Sequence, residues 1–242
     1  MIDITIERKQ YQNNTIIQDL HLSLARNEIT AIVGPSGAGK TTLLNIISGL
    51  DTAYDGTITF DSLASGHVNT AYMFQEPRLL PWLSVFDNVT LVDNDKSDAR
   101  ERAEQLLTMA GLQDSMHVYP KQLSGGMQRR AALARTFFPR PSLVLMDEPF
   151  ISLDLPSAEA LRLEFLNMWK ESNSSVLYIT HDLSEAIAIA DKILFFSASP
   201  ANVILEVPIE NKRPGSSSCE VVQAFQQQLL QQYPYLLNGR IE

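Results

Sequence analysis

The run Gly34-Pro35-Ser36-Gly37-Ala38-Gly39-Lys40-Thr41 leaves few folds open to this chain. Backbone N–H groups at a helix start can cradle a phosphate only where side chains stay out of the way, and Gly34, Gly37 and Gly39 keep that approach open. In such a loop Lys40 sets a cation against the β- and γ-phosphates, and Thr41 offers a hydroxyl to Mg²⁺. The pattern carries that meaning only between a strand and a helix. Ile29 to Val33 is an apolar run that ends at the loop, and Lys40 to Ser48 has helical spacing closed by Gly49. A plain glycine-rich turn is the bland alternative, and the complete pattern in this context argues against it.

Ile2, Ile4 and Ile6 alternate with polar neighbours, as do Leu20, Leu22 and Leu24, which predicts strands with one buried face. From about Ser84 to Phe138 the pattern turns helical, with Arg100 to Met109 amphipathic and Gly111 ending it. Strands return at Leu143 to Met146 and Val176 to Thr180, followed by helical segments at about Ser157 to Glu171 and Leu183 to Ala190. That alternation predicts parallel pairing with right-handed crossovers. Ile193 to Phe196 and Val203 to Val207 read as closing strands. The expected fold is an α/β nucleotide-binding core, one domain over 1–242, with a helical subdomain inserted at about 84–138. Pro214 to Ser218 reads as a loop. Glu220 to Gln232 is Gln-rich, and its apolar spacing at Val221, Phe225, Leu229 and Leu230 suits a terminal packing helix better than an interaction helix.

Charge bears on partners. A net charge of -9 and a pI near 4.9 argue against general nucleic-acid binding, which needs clustered Lys and Arg. No basic run is longer than Arg129-Arg130. Cys219 is the only cysteine, which rules out an intrachain disulfide and points to a reducing compartment. Met1 to Glu7 lacks a basic stretch leading into an apolar run, so no signal peptide is expected, and apolar stretches such as Leu143 to Met146 are strand-sized. The expectation is a soluble chain able to dock on a membrane protein.

Two further segments bear on chemistry. The apolar strand Leu143 to Met146 ends in Asp147, which would hold Mg²⁺ directly or through water. Glu148, one residue on and facing the other way, would orient and deprotonate a water aimed at the γ-phosphate. A carboxylate pair at a strand end is often only solvated polarity; the preceding apolar run and the phosphate loop weigh against that here. Ser124-Gly125-Gly126 opens a helical stretch and is a second anion site by its dipole and free N–H groups, although a turn of this kind is often no more than a cap. One nucleotide needs one phosphate loop. Two copies packed head to tail, each offering Ser124-Gly125-Gly126 to the other's ATP, would explain the second.

These motifs, in this order, resemble those of the ATP-binding subunits of ABC transporters over nearly the whole chain. Gly34 to Thr42 matches Walker A, Leu123 to Gln128 the signature, and Leu143 to Glu148 Walker B with its following glutamate. Ser152-Leu153-Asp154 looks like the D-loop and His181 the switch histidine. Gln75 sits at the Q-loop position and Tyr11 where an aromatic stacks on adenine, although by residue type alone Tyr11 is an ordinary loop aromatic. The resemblance implies a P-loop NTPase (RecA-like) core, an N-terminal antiparallel β subdomain and an inserted α-helical subdomain. It implies nucleotide contacts from Tyr11, Gly34, Pro35, Ser36, Gly37, Ala38, Gly39, Lys40, Thr41, Thr42, Ser124, Gly125, Gly126 and Asp154. Mg²⁺ would be held by Thr41, Gln75 and Asp147, and catalysis carried by Glu148 with His181, Gln75 and Lys40. His181 follows a strand, so its imidazole would emerge at the ligand edge; His21, His67 and His117 read as surface or packing residues.

Met73 to Trp82, followed by Val85, Asn88 and Val89, is similar to the importer branch that takes up nitrate, sulfonates and taurine, or a thiamine precursor. Met127 and Pro149-Phe150 fit it too, whereas Asp61 to Thr70 is short for that branch. No regulatory domain is expected beyond Glu242, unlike the sugar-importer ATPases. The resemblance implies a homodimer on the cytoplasmic face of the cell membrane under transmembrane permease subunits. A permease coupling helix would dock near the apolar loop Gln75 to Trp82, an external solute-binding protein would deliver cargo, and no nucleic acid would be bound. The rival readings are an exporter or lipoprotein-release ATPase, and a soluble ABC ATPase acting on ribosomes or DNA. A third is a non-catalytic regulator, disfavoured by the intact Lys40, Asp147, Glu148 and His181.

Overall fold

The computed structural model describes residues 1–60, 69–92, 98–151, 153–209 and 219–241. His67, most of Asp61 to Thr70, Ser152 and the loop expected at Pro214 to Ser218 lie outside them. The first half of the chain forms β1 (Ile2–Tyr11), β2 (Asn14–Leu24), β3 (Ile29–Val33), α1 (Lys40–Ile47), β4 (Asp55–Phe60), β5 (Thr70–Met73), α2 (Val85–Thr90) and α3 (Ala99–Met109). The second half forms α4 (Gly125–Phe137), β6 (Leu143–Asp147), α5 (Leu155–Glu171), β7 (Ser175–Thr180), α6 (Leu183–Ile189), β8 (Lys192–Phe196), β9 (Val203–Pro208) and α7 (Cys219–Gln232). None of the described helices is long and apolar enough to cross a membrane.

The chain divides into two compact units, residues 1–68 with 175–242, and residues 69–174. In the first, β1 pairs antiparallel with both β2 and β4. Ile2, Ile4 and Ile6 point inward, as the alternation predicts. The sheet order β2-β1-β4 is the antiparallel layer implied by the family resemblance. The other strands run in the order β7-β3-β8-β9, parallel except for the β8–β9 pair. β3 and β7 are buried at every position, which is why they read as unbroken apolar runs rather than alternating ones. Helix α7 meets α6, where the Ser184 hydroxyl donates to Gln226 Oε1 at 2.7 Å.

In the second unit β5 and β6 pair in parallel and the helices gather around α4. Ala131 to Ala134 and Phe137 of α4 are buried. Phe165 of α5 packs its ring 6.1 Å from those of Phe137 and Phe150. The predicted helical stretch lies inside this unit and resolves into α2, α3 and α4, with single 3₁₀ turns at Gln113–Ser115 and Pro120–Gln122.

The candidate nucleotide site

The phosphate loop runs from the buried end of β3 into α1. Gly39 adopts φ +88°, and a Cβ there would lie 2.8 Å from Ile16 Cγ2. A Cβ at Gly34 would come within 2.9 Å of Phe196 Cβ, so the strand end has no room for a side chain. Lys40 is 6% exposed and folds back over the loop, its Nζ donating to Gly34 O at 2.8 Å and Pro35 O at 2.9 Å. Ser36, Gly37 and Thr41 stay exposed. A tight backbone loop with an ammonium fixed across it and its outer residues open suits a polyphosphate.

β3 and β7 are parallel neighbours in register, with Val33 opposite Thr180. The phosphate loop and His181 therefore leave adjacent strands at their carboxyl ends, where α/β sheets bind ligands. Asp182 then caps α6, its Oδ1 accepting from Ser184 N at 2.8 Å and Glu185 N at 3.2 Å. That cap fixes the turn carrying the exposed His181.

The second unit repeats this logic. Met73 of β5 lies opposite Met146 of β6, so Gln75 and Asp147-Glu148 follow the carboxyl ends of neighbouring strands. β5 ends at Met73, and just beyond it Phe74 stacks on Tyr72 at 4.2 Å while Arg78 caps the Phe74 ring at 3.8 Å. Asp147 is 8% exposed, and Tyr72 Oη donates to its Oδ2 at 3.5 Å. Burial and the neighbouring Asp147 charge push the Tyr72 phenol pKa up, so it remains a donor. Glu148 turns with φ +45°, a conformation uncommon for a residue with a side chain and often retained at functional positions.

Ser124 caps α4, its Oγ accepting from Met127 N at 3.3 Å. Asp154 caps α5, its Oδ2 accepting from Ser157 N at 3.4 Å, and the Ser157 hydrogen bonds hold the Asp154 carboxyl below its ordinary pKa. Tyr11, the phosphate loop and His181 thus belong to one unit; Gln75, Ser124 to Gly126, Asp147, Glu148 and Asp154 belong to the other. His21 and His117 are exposed, as expected. Sequence reading passed over Lys9 and Asp51, which hold Tyr11, and over Tyr72. A charged residue becoming buried at Lys9 depends on a shift in strand pairing between Ile6 and Arg8, which leaves no local signature.

Residues 17–151, more than half of the chain, match the ABC transporter family. The aliphatic sulfonates import ATP-binding protein SsuB 2 of Burkholderia cenocepacia (strain HI2424) is 40% identical over 216 residues, spanning 88% of this chain and 80% of that protein. SsuB of Bacillus subtilis (strain 168) is 32% identical over 239 residues, 96% of this chain and 94% of that one. The dimeric post-hydrolysis structure of the ATP-binding cassette MJ0796, bound to ADP and Pi, has a TM-score of 0.73 at 25% identity, covering 88% of this chain and 100% of that chain. A second dimeric MJ0796 structure gives 0.72 at 26% identity over the same shares. The α/β P-loop expectation is borne out, and the chain is an ATP-binding, ATP-hydrolysing member of the ABC transporter family.

Proposed function

We propose that this chain is the ATPase subunit of a bacterial importer of aliphatic sulfonates, working as a head-to-tail homodimer on the cytoplasmic face of the membrane beneath its permease. The curated relatives carry sulfonate-import names, which narrows the wider nitrate, sulfonate and thiamine-precursor branch. The observation that carries the dimer is at the start of α4. A Cβ on Gly125 would meet nothing within 4 Å, and one on Gly126 only Ser124 Oγ at 4.0 Å. Neither glycine has the positive φ that excludes side chains. Glycine disfavours helix by about 1 kcal/mol relative to alanine. No described contact in this chain needs these two, so a close approach from outside accounts for them, and the triphosphate bound by a second copy is that approach.

In this reading the loop amides of Gly34 to Thr42 and the Lys40 ammonium grip the β- and γ-phosphates. Thr41, Gln75 and Asp147 would hold Mg²⁺: a hydroxyl, an amide oxygen and one carboxylate are hard oxygen donors, with phosphate and water completing the shell. Bound there, Mg²⁺ would neutralise charge on the phosphates. Glu148 takes a proton from water as the water oxygen bonds to the γ-phosphorus and the β–γ bridging oxygen leaves with ADP. His181 donates to the γ-phosphate and keeps Glu148 and the water aligned. Ser124, Gly125, Gly126 and Asp154 complete the site from the partner, and residues 84–138 form the helical subdomain that presents the signature.

Glu148→Gln should bind ATP with unchanged affinity, lose hydrolysis by about 100-fold or more, and run as a dimer with ATP on size exclusion. Normal turnover by this variant would remove Glu148 from the general-base role. The tagged variant, mixed with ATP and detergent-solubilised membranes, should retrieve a polytopic permease by mass spectrometry. Ribosomal or chromosomal partners in its place would sink the importer reading.

A further inference from the structure

Tyr11 is anchored through a chain of short polar contacts. Its phenol donates to Asp51 Oδ2 at 2.6 Å, and Asp51 Oδ1 accepts from Lys9 Nζ at 2.7 Å. The Lys9 side chain is 2% exposed and gives a second hydrogen bond to Ala53 O at 2.8 Å. Its ammonium also lies 4.4 Å from the Tyr11 ring centroid. Asp51 is itself fixed to the end of α1, its N–H donating to Asn45 O at 3.0 Å, while its Oδ1 accepts from Ala53 N at 3.1 Å. The Thr42 side chain acts on the same phenol from the phosphate-loop helix.

Burying a lysine is costly unless its charge is paired, and here a fully satisfied ion pair sits beneath an aromatic that remains 47% exposed. The inward face of β1 passes from Ile2, Ile4 and Ile6 to Lys9 across the irregularity between Ile6 and Arg8 in its pairing with β4, and Lys9 is thereby turned inward two residues before Tyr11. Bulges recur where a strand must re-aim a side chain. A hairpin tyrosine left alone would sample several rotamers and would have to be ordered when a base arrived. Held at its hydroxyl and along its ring by groups tied to α1, it is preorganised for the flat ligand.

We propose that Lys9 and Asp51 are positioning residues that hold the Tyr11 ring in the orientation that receives the adenine of ATP. This rests on the reading of Tyr11 as the base-stacking aromatic. The hydrogen bonds that hold the trio run among Lys9, Tyr11, Asp51 and Ala53 and not to the phosphate-loop glycines or Lys40, so disturbing the trio should affect the base and spare the phosphates.

The test is equilibrium binding of ATP and of inorganic tripolyphosphate, both with Mg²⁺, to the full chain by calorimetry. The variants are Tyr11→Ala, Tyr11→Phe, Asp51→Asn and the double variant Tyr11→Phe/Asp51→Asn. Tyr11→Ala should weaken ATP about 10-fold, in the range of base–aromatic stacking, and leave tripolyphosphate within about twofold. Tyr11→Phe and Asp51→Asn should each weaken ATP about threefold, and the double variant no further than either one, because all break the same link. ATP affinity unchanged in Tyr11→Ala would overturn the base-stacking reading itself. A loss in Tyr11→Ala beside wild-type ATP affinity in Tyr11→Phe and Asp51→Asn would overturn the positioning role alone. Equal loss of ATP and tripolyphosphate in Asp51→Asn would also overturn it, assigning Asp51 to the fold of α1. Tyr11→Phe removes only a hydroxyl, so it decides the question even if Asp51→Asn does not fold.

Discussion

Glu164 carries its carboxyl on α5, 3.3 Å from the Arg130 guanidinium but not aligned with it as a hydrogen bond. Burial pushes its pKa up to about 7 against the pull of Arg130. An unfolded glutamate titrates near 4.3, so between those values the folded protein binds the extra proton. The resulting stability is fully present below about pH 4.3 and is lost as pH rises through about 7. Glu164→Gln stays neutral throughout, so it should match the wild type below about pH 4 and melt higher at pH 8. The difference should be on the order of 2 kcal/mol at most. Parallel melting curves across that pH range would mean that Arg130 keeps the carboxylate ionised. A change of one carbon atom matters elsewhere for a steric reason. Gly39→Ala places a Cβ 2.8 Å from Ile16 Cγ2 in a left-handed residue, costing about 1–2 kcal/mol from conformation alone. Lower melting together with weakened ATP binding is the expected result, and wild-type values for both would show that the loop relaxes freely.

Helix α4 separates demands that a stable fold makes from demands that a partner makes. Gly125→Ala and Gly126→Ala meet open space and improve helix propensity, so each should leave the monomer as stable or up to about 0.5 kcal/mol more stable. Their ATPase activity should nevertheless fall at least tenfold, with ATP binding by the monomer retained. Loss of monomer binding would place the two glycines at the chain's own nucleotide. Nothing in the run of letters distinguishes such a glycine from a helix cap, and only the empty space around it does. What was legible follows the same division. β3, the phosphate loop and α1 are contiguous, so a local pattern carries them whole. β6 and β7 were legible because strands buried on both faces are continuous apolar runs. β4 went unread because Asp55, Gly56, Thr57 and Thr59 leave it mostly exposed, and it exists by pairing with β1. The Lys9–Asp51 pair joins residues 42 apart, a contact that periodicity cannot register. Glu148 was legible as a carboxylate, but not its backbone turn at φ +45°.

Transport requires that events at a membrane partner reach the nucleotide, and α4 offers a physical route within its own unit. Trp82 is 69% exposed on the loop that follows Gln75. That loop is fixed from beneath at several points. Asn88, fully buried, accepts from Leu80 N at 2.7 Å and donates to the carbonyls of Leu80, Leu83 and Ser84. Arg135 of α4 donates to Arg78 O at 2.8 Å and Pro77 O at 2.7 Å. Arg135 stands near the carboxyl end of the same 13-residue helix whose amino end is capped by Ser124. A helix of that length spans about 20 Å as a stiff rod, so a push on the loop moves the signature end with it. Arg135→Ala cuts the tie and leaves the exposed Trp82 in place. Reconstituted with its permease in vesicles, this variant should still bind the permease while its stimulated ATPase falls about fivefold or more towards the rate of the isolated protein. Trp82→Ala should give the complementary result, unchanged ATPase in isolation and weakened capture of the permease. Full stimulation of Arg135→Ala would mean that the signal bypasses α4. Loss of its permease binding would instead assign Arg135 to holding the docking surface itself.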